Sequence, residues 1–234
     1  MPLAIWSISL ADFRRAVRRL LRLGKPDSRP EGVAGIAQLG HREYVGGRWE
    51  EIGRLQFEFL VQHGLRPQHV LLDVACGSLR AGVHLIPYLD RGHYWGLEKE
   101  SDLIEAGLKR ELDPQIRRAK EPQFLINGNF DVSPIRRPVD YLLIHSLFTH
   151  LPPELIQHCL RQLQSVSQPS TVCYVTFFET TVRRTNPEAP HDHQSFFYTR
   201  DELRDCCLEV GWVSEYLGDW GHPRGQKMLR LTRG

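Results

Sequence analysis

Two carboxylates and four histidines stand where this chain could do chemistry. Asp73 and Glu98 lie 25 residues apart, each at or near the end of a short run, the apolar Val70-Leu71-Leu72-Asp73-Val74 and the aromatic-rich His93-Tyr94-Trp95-Gly96-Leu97-Glu98. Asp73 is followed by Ala75-Cys76-Gly77-Ser78, whose small side chains let a ligand approach the backbone. The separation is one strand–helix–strand step, close to the ~20 residues at which an acid beyond such a turn meets a ribose hydroxyl. His145 and His150 follow a third apolar run that ends at Ile144, and His191 and His193 sit in a long polar stretch. Histidine is the natural proton carrier near neutral pH. His150, His191 and His193 are therefore candidate bases, while His145 is close enough to its strand end to touch a bound nucleotide-like ligand. His191-Asp192-His193 has a metal-binding look, but no third ligand accompanies it, and no metal is expected.

The elements that must position these groups can be read in turn. Val70 to Val74 reads as a strand covered on both faces. Arg80 to Tyr88 reads as a helix whose first N–H groups face the small-residue turn. A dinucleotide fingerprint would need glycines where Ala75, Gly77 and Arg80 stand, a poor match. Upstream, Gly24 to Gly40 is rich in Gly and Pro and reads as a linker, and Trp49 to His63 has helical spacing ended by Gly64 and Pro67. Downstream, Asp102 to Leu112 reads as a helix and Gln123 to Ile126 as a strand closed by Asn127-Gly128-Asn129-Phe130-Asp131. A strand to Ile144 leads to a helix opened by Pro152-Pro153-Glu154 and running to about Val166. Thr171 to Phe178 is the next strand, and Glu179 to Tyr198 a loop long enough to be functional. Thr199 with Asp201 and Glu202 opens a last helix, and Val213–Leu217 with Lys227–Thr232 form a closing hairpin.

Residues 44–234 resemble the class I S-adenosylmethionine (SAM) methyltransferases. The resemblance rests on Asp73 two residues before the small-residue loop, Glu98 ending the second strand, the strand that runs into His145, and the terminal hairpin. Ala75 departs from the glycine usual there. The resemblance implies an α/β fold, a doubly wound, seven-stranded, mostly parallel sheet with an antiparallel last strand, in a domain over 41–234 preceded by a helix and linker over 1–40. It implies SAM as cofactor, held by Asp73, Ala75, Cys76, Gly77, Ser78, Arg80, Glu98, Lys99 and His145, with Asn129 and Phe130 at the adenine. Tyr44, Trp49 and Arg54, on or beside the helix before the first strand, are candidates for lining the pocket. The reaction implied is in-line methyl transfer to a small molecule, through oxygen, with His193 the first choice of base ahead of His150 and His191. A SAM-binding partner subunit without catalysis, and an RNA or protein methyltransferase, are the alternatives. The fourth strand ends His145-Ser146-Leu147-Phe148, not in the Asn/Asp-Pro-Pro-aromatic element that would hold a flipped base, which argues against base amino methylation.

Bulk properties agree. A net charge of +2 gives no general attraction to nucleic acid. The positive charge gathers in residues 1–25, where Arg14, Arg15, Arg18, Arg19, Arg22 and Lys25 face only Asp12. Leu10, Phe13, Val17, Leu20 and Leu21 recur there at helical spacing, so residues 10–23 read as a basic amphipathic helix packed on the body, on a second subunit or on an anionic membrane surface. Five cysteines without a Cys-x-x-Cys pair suggest neither a disulfide framework nor zinc, and fit a reducing cytoplasm. Met1 to Leu10 lacks the form of a signal peptide, and no apolar run approaches the ~20 residues of a membrane span.

Overall fold

The computed structural model describes residues 29–234. The amphipathic helix expected at 10–23 lies outside the described residues. Three helices come first: α1 (Gly32–Leu39), the single turn α2 (His41–Tyr44) and α3 (Trp49–Gln62). The linker expected up to Gly40 is thus helical over its second part. Ala34, Ile36, Ala37 and Leu39 favour a helix, and Gly35 is packed so closely that a Cβ there would lie 2.6 Å from the Tyr44 ring.

The alternating part follows. It comprises β1 (Leu71–Val74), α4 (Gly82–Tyr88), β2 (Tyr94–Glu98), α5 (Ser101–Ala106), α6 (Pro114–Lys120), β3 (Gln123–Ile126), β4 (Val139–Ile144) and α7 (Pro153–Leu163). It closes with β5 (Ser167–Glu179), the short β6 (Phe197–Tyr198), α8 (Arg200–Leu208), β7 (Trp212–Asp219) and β8 (Lys227–Arg233). The main sheet has the order β3-β2-β1-β4-β5-β8-β7, with β6 paired to the end of β5. Strands β1 to β5 pair in parallel, and β8 is antiparallel to both its neighbours.

The pleat sorts β1 between two cores. Leu72 and Val74 pack with α7 and Trp212, whereas Leu71 packs with Phe59 and Leu60 of α3 and Leu85 of α4. Helices on both faces explain why β1 reads as an unbroken apolar run. Two helix boundaries differ from the expected ones, and one helix is additional. Helix α4 starts at Gly82, after a turn in which Leu79 takes φ 69°. The helix after β2 ends in a π turn over Gly107–Glu111. Helix α6 was not anticipated, although Pro114 at its start and the Asp113 carboxylate accepting from the Gln115 N–H at 2.6 Å are ordinary helix-start chemistry. At α8 the capping box of Thr199 and Glu202 is present as expected.

Candidate functional site

A cavity of about 430 Å³ runs along the carboxyl edge of the parallel strands. Register brings its ligand-bearing ends level: Asp73 sits opposite Gly96 and Leu143, and Val74 opposite Leu97 and Ile144. The turn after β1 is tight, with φ 59° at Ala75 and 57° at Gly77. A Cβ on Gly77 would lie 2.9 Å from Val45 Cγ1, so the segment before α3 is laid directly on this turn.

Glu98 closes β2 and is buried. Its Oε2 accepts from the Gly77 N–H at 3.0 Å, and its Oε1 from the N–H groups of Lys99 and Glu100 at 2.9 and 3.1 Å. Burial pushes its pKa up despite those donors. A carboxylate has about four acceptor sites, so one on Oε2 remains for a ligand hydroxyl. Asp73 accepts from the Tyr94 hydroxyl at 2.9 Å, and burial pushes it up to about 7. Arg80 is buried as well; its Nη1 donates to the carbonyls of Val45 and Gly47, both at 3.0 Å, fastening the segment before α3 to the β1 turn. Burial, then Arg224, lowers the Arg80 pKa to about 10, which leaves it charged at neutral pH.

The expected cofactor residues do not all reach the cavity. Asp73, Ala75, Cys76, Gly77, Arg80, Glu98, Lys99, Phe130 and His145 line it. Ser78 does not: its hydroxyl turns away to donate to the His41 carbonyl at 3.3 Å. Asn129 is exposed, and its carbonyl accepts from His158 Nε2 at 3.0 Å. Asn127 lines the cavity instead, its amide clamped to the Asp131 backbone at 3.0 and 2.9 Å. Of the three candidates around the start of α3, Tyr44 lines the cavity, Trp49 is buried beneath the Arg42 guanidinium and Arg54 is exposed.

The three loop histidines are brought together but are engaged differently. His193 Nε2 lies 3.0 Å from the Pro30 carbonyl, so it donates there. His191 Nδ1 accepts from the N–H groups of His193 and Gln194 at 3.0 and 3.2 Å, and its Nε2 faces Glu31 at 3.2 Å. His150 Nδ1 is within 3.0 Å of the His191 carbonyl and 2.9 Å of the Gln194 carbonyl, so this nitrogen carries the proton. Its Nε2 lone pair then has no partner among the described residues. Burial lowers the His150 pKa, with the two carbonyls opposing, so the ring is neutral at neutral pH. Asp192 fixes the loop over the cavity: it accepts from Lys99 Nζ at 2.6 Å and from the Tyr44 hydroxyl, which itself accepts from the Gly32 N–H at 2.7 Å.

Sequence reasoning missed His222, Arg224 and Gln226, which line the cavity from the turn between β7 and β8. The signal was available. A strand antiparallel to β5 must begin at the carboxyl edge of the parallel strands, so the turn before it must reach the site.

No protein-family model matches the chain. Among solved structures, it is similar to the DhpI–SAH complex, with a TM-score of 0.60 and 18% identity over 85% of this chain and 92% of that one. It is similar to magnesium protoporphyrin IX methyltransferase (ChlM) from Synechocystis PCC 6803 with bound SAM, at 0.57 and 12%, covering 99% and 100%. It is also similar to the glycopeptide N-methyltransferase MtfA complexed with S-adenosyl-L-homocysteine (SAH), at 0.61 and 12%, covering 85% and 95%. What these share with the chain is the fold, that of the class I methyltransferases.

Proposed function

We propose that this chain, built on the class I methyltransferase fold, is a SAM-dependent enzyme that methylates a small molecule through oxygen. One observation carries the reading: the β1 turn and the end of β2 are joined by the Gly77–Glu98 hydrogen bond, with an acceptor site on Glu98 left facing a cavity of nucleoside size. The residues fit the cofactor. The small-residue turn admits it closely, Glu98 takes a ribose hydroxyl, and Phe130 and Asn127 flank the adenine end. SAM, when bound, supplies an activated methyl group.

The chain's own part is to orient the acceptor and to take its proton. The base we propose is His150. Its Nδ1–H is spent on two carbonyls, which fixes the tautomer and leaves Nε2 to receive the proton of an acceptor hydroxyl. His193, the first choice on sequence, is the weaker candidate because its Nε2 already serves Pro30. We place the enzyme in the cytoplasm: its five cysteines are all buried and free. Among the described residues no helix is long and apolar enough to cross a membrane.

The test is incubation with methyl-labelled SAM and a metabolite extract, followed by mass spectrometry. A labelled methyl ether or ester is expected. Labelled products carrying the methyl only on nitrogen would overturn O-methylation, and failure to bind SAM or SAH by calorimetry would overturn the assignment.

A further inference from the structure

Seven buried side-chain nitrogens lack a hydrogen-bond partner among the described residues, and three of them, Arg80 Nε, His145 Nε2 and His222 Nε2, belong to residues lining the cavity. All three are donors. Arg80 Nε always carries a proton. His145 Nδ1 lies 3.4 Å from Arg80 Nη2 and His222 Nδ1 accepts from the Arg224 N–H at 3.3 Å, so each neutral ring holds its proton on Nε2. A buried donor left unpaired is costly, so three in one wall need a reason.

The charges that act on the two histidines share one sign, while Arg80 also has Asp73 near it. His222 is held down to about 4 by burial and then by Arg80, Arg224 and Arg48, with no carboxylate opposing. His145 is held well below its usual value by burial, Arg80, His222 and Arg224. Arg224 is exposed, reaches the cavity and donates to the Gly46 carbonyl. Trp220 stacks on His222 at 5.4 Å and 18°, and this stack covers His145.

Donors without acceptors, positive neighbours and neutral histidines describe a wall for a ligand that only accepts hydrogen bonds. We propose that the wall formed by Arg80, His145, His222 and Arg224 binds an oxyanion of the carboxylate or phosphate class. The proposal deepens the methyltransferase reading and rests on it for its source, an acidic group on the methyl acceptor. The three buried nitrogens are closed off from solvent, so the exposed Arg224 is the group a ligand meets first, and contact with the other three requires the wall to open.

The experiment uses the full chain with four probes: SAH, 5′-methylthioadenosine (the same nucleoside without the amino-acid part), benzoate and inorganic phosphate. Affinities come from calorimetry and tryptophan fluorescence, for wild type, Arg224→Gln and Arg224→Lys. If the anion is the acceptor's, benzoate or phosphate binds with and without saturating SAH, Arg224→Gln weakens it at least tenfold, Arg224→Lys restores part, and SAH is unaffected. If it is the cofactor's, Arg224→Gln weakens SAH at least tenfold and leaves methylthioadenosine alone. The first pattern supports the proposal; the second gives the wall to the cofactor and overturns it. Variants that change neither anion binding nor the preference for SAH over methylthioadenosine overturn it. A wild type that binds no SAH sinks the methyltransferase reading separately, since the benzoate and phosphate arms without SAH still judge the wall.

Discussion

The main-chain N–H of Gly77 donates to Glu98 Oε2 at 3.0 Å, tying the turn after β1 to the end of β2. The same carboxylate accepts from Lys99 and Glu100, so it both shapes the turn after β1 and lines the cavity. Glu98→Ala leaves three N–H groups unpaired and removes the proposed ribose partner. We expect SAH affinity to fall by about 1.5–3 kcal/mol, the scale of a hydrogen bond to a charged group, and calorimetry checks it. Unchanged affinity would count against the whole cofactor site.

Asp73 makes a pH prediction. Burial raises its folded pKa from 3.8 to about 7, so between those values the folded protein holds a proton that the unfolded chain releases. The contribution of Asp73 itself to stability should therefore fall as pH rises through that window and level off above it. Asp73→Asn cannot ionise, and its side-chain oxygen still accepts from Tyr94. Relative to wild type, the variant should gain stability as pH rises from about 4 to 7, the window set by the two pKa values. Urea titrations across that range decide it; a pH-independent difference between the two proteins would show that Asp73 does not carry this linkage.

The fold was legible because its signals are local: the double-sided apolar run of β1, the capping box at Thr199 and the closing hairpin each follow from a few neighbouring residues. The linker expected before Gly40 failed because Gly and Pro suggest a loop until tertiary contacts, here Gly35 under Tyr44, are counted. Within the site, Asn127 and Asn129 stand two residues apart in one turn, and only the backbone path decides which faces the cavity. Trp49 and Arg54 show the same limit, since helical spacing gives a face but not its neighbour. The histidines could be gathered from sequence, yet ranking them required knowing which ring nitrogens meet carbonyls.

Ala75 holds φ 59°, a left-handed conformation that costs a residue with a Cβ roughly 1–2 kcal/mol. Glycine removes that strain but gives back some unfolded-state entropy. Ala75→Gly should therefore stabilise the protein by about 0.5–1 kcal/mol. Chemical denaturation reads this directly, and a destabilised variant would mean that the Ala75 methyl packing outweighs the backbone strain.

The last prediction separates the histidines. If His150 Nε2 takes the acceptor's proton, His150→Ala should lower kcat by about 10²–10⁴-fold while SAH affinity stays nearly intact. His193→Ala should cost less than about tenfold, because it loses a loop contact to Pro30 but no base. The pH profile adds an independent readout. A base works only when unprotonated, and burial holds His150 below its ordinary 6.5, so the rate should fall on acidification only below that pH. In His150→Ala the remaining activity should lose this acid limb and rise instead with hydroxide. Measurements at saturating cofactor over pH 5–9 distinguish the cases. If His193→Ala carries the large loss, the base is His193, and the loop must release its Nε2 from Pro30 before the reaction. If neither variant loses turnover, the acceptor enters already ionised, and the wall around Arg80 and Arg224 becomes the first place to look for what holds that charge.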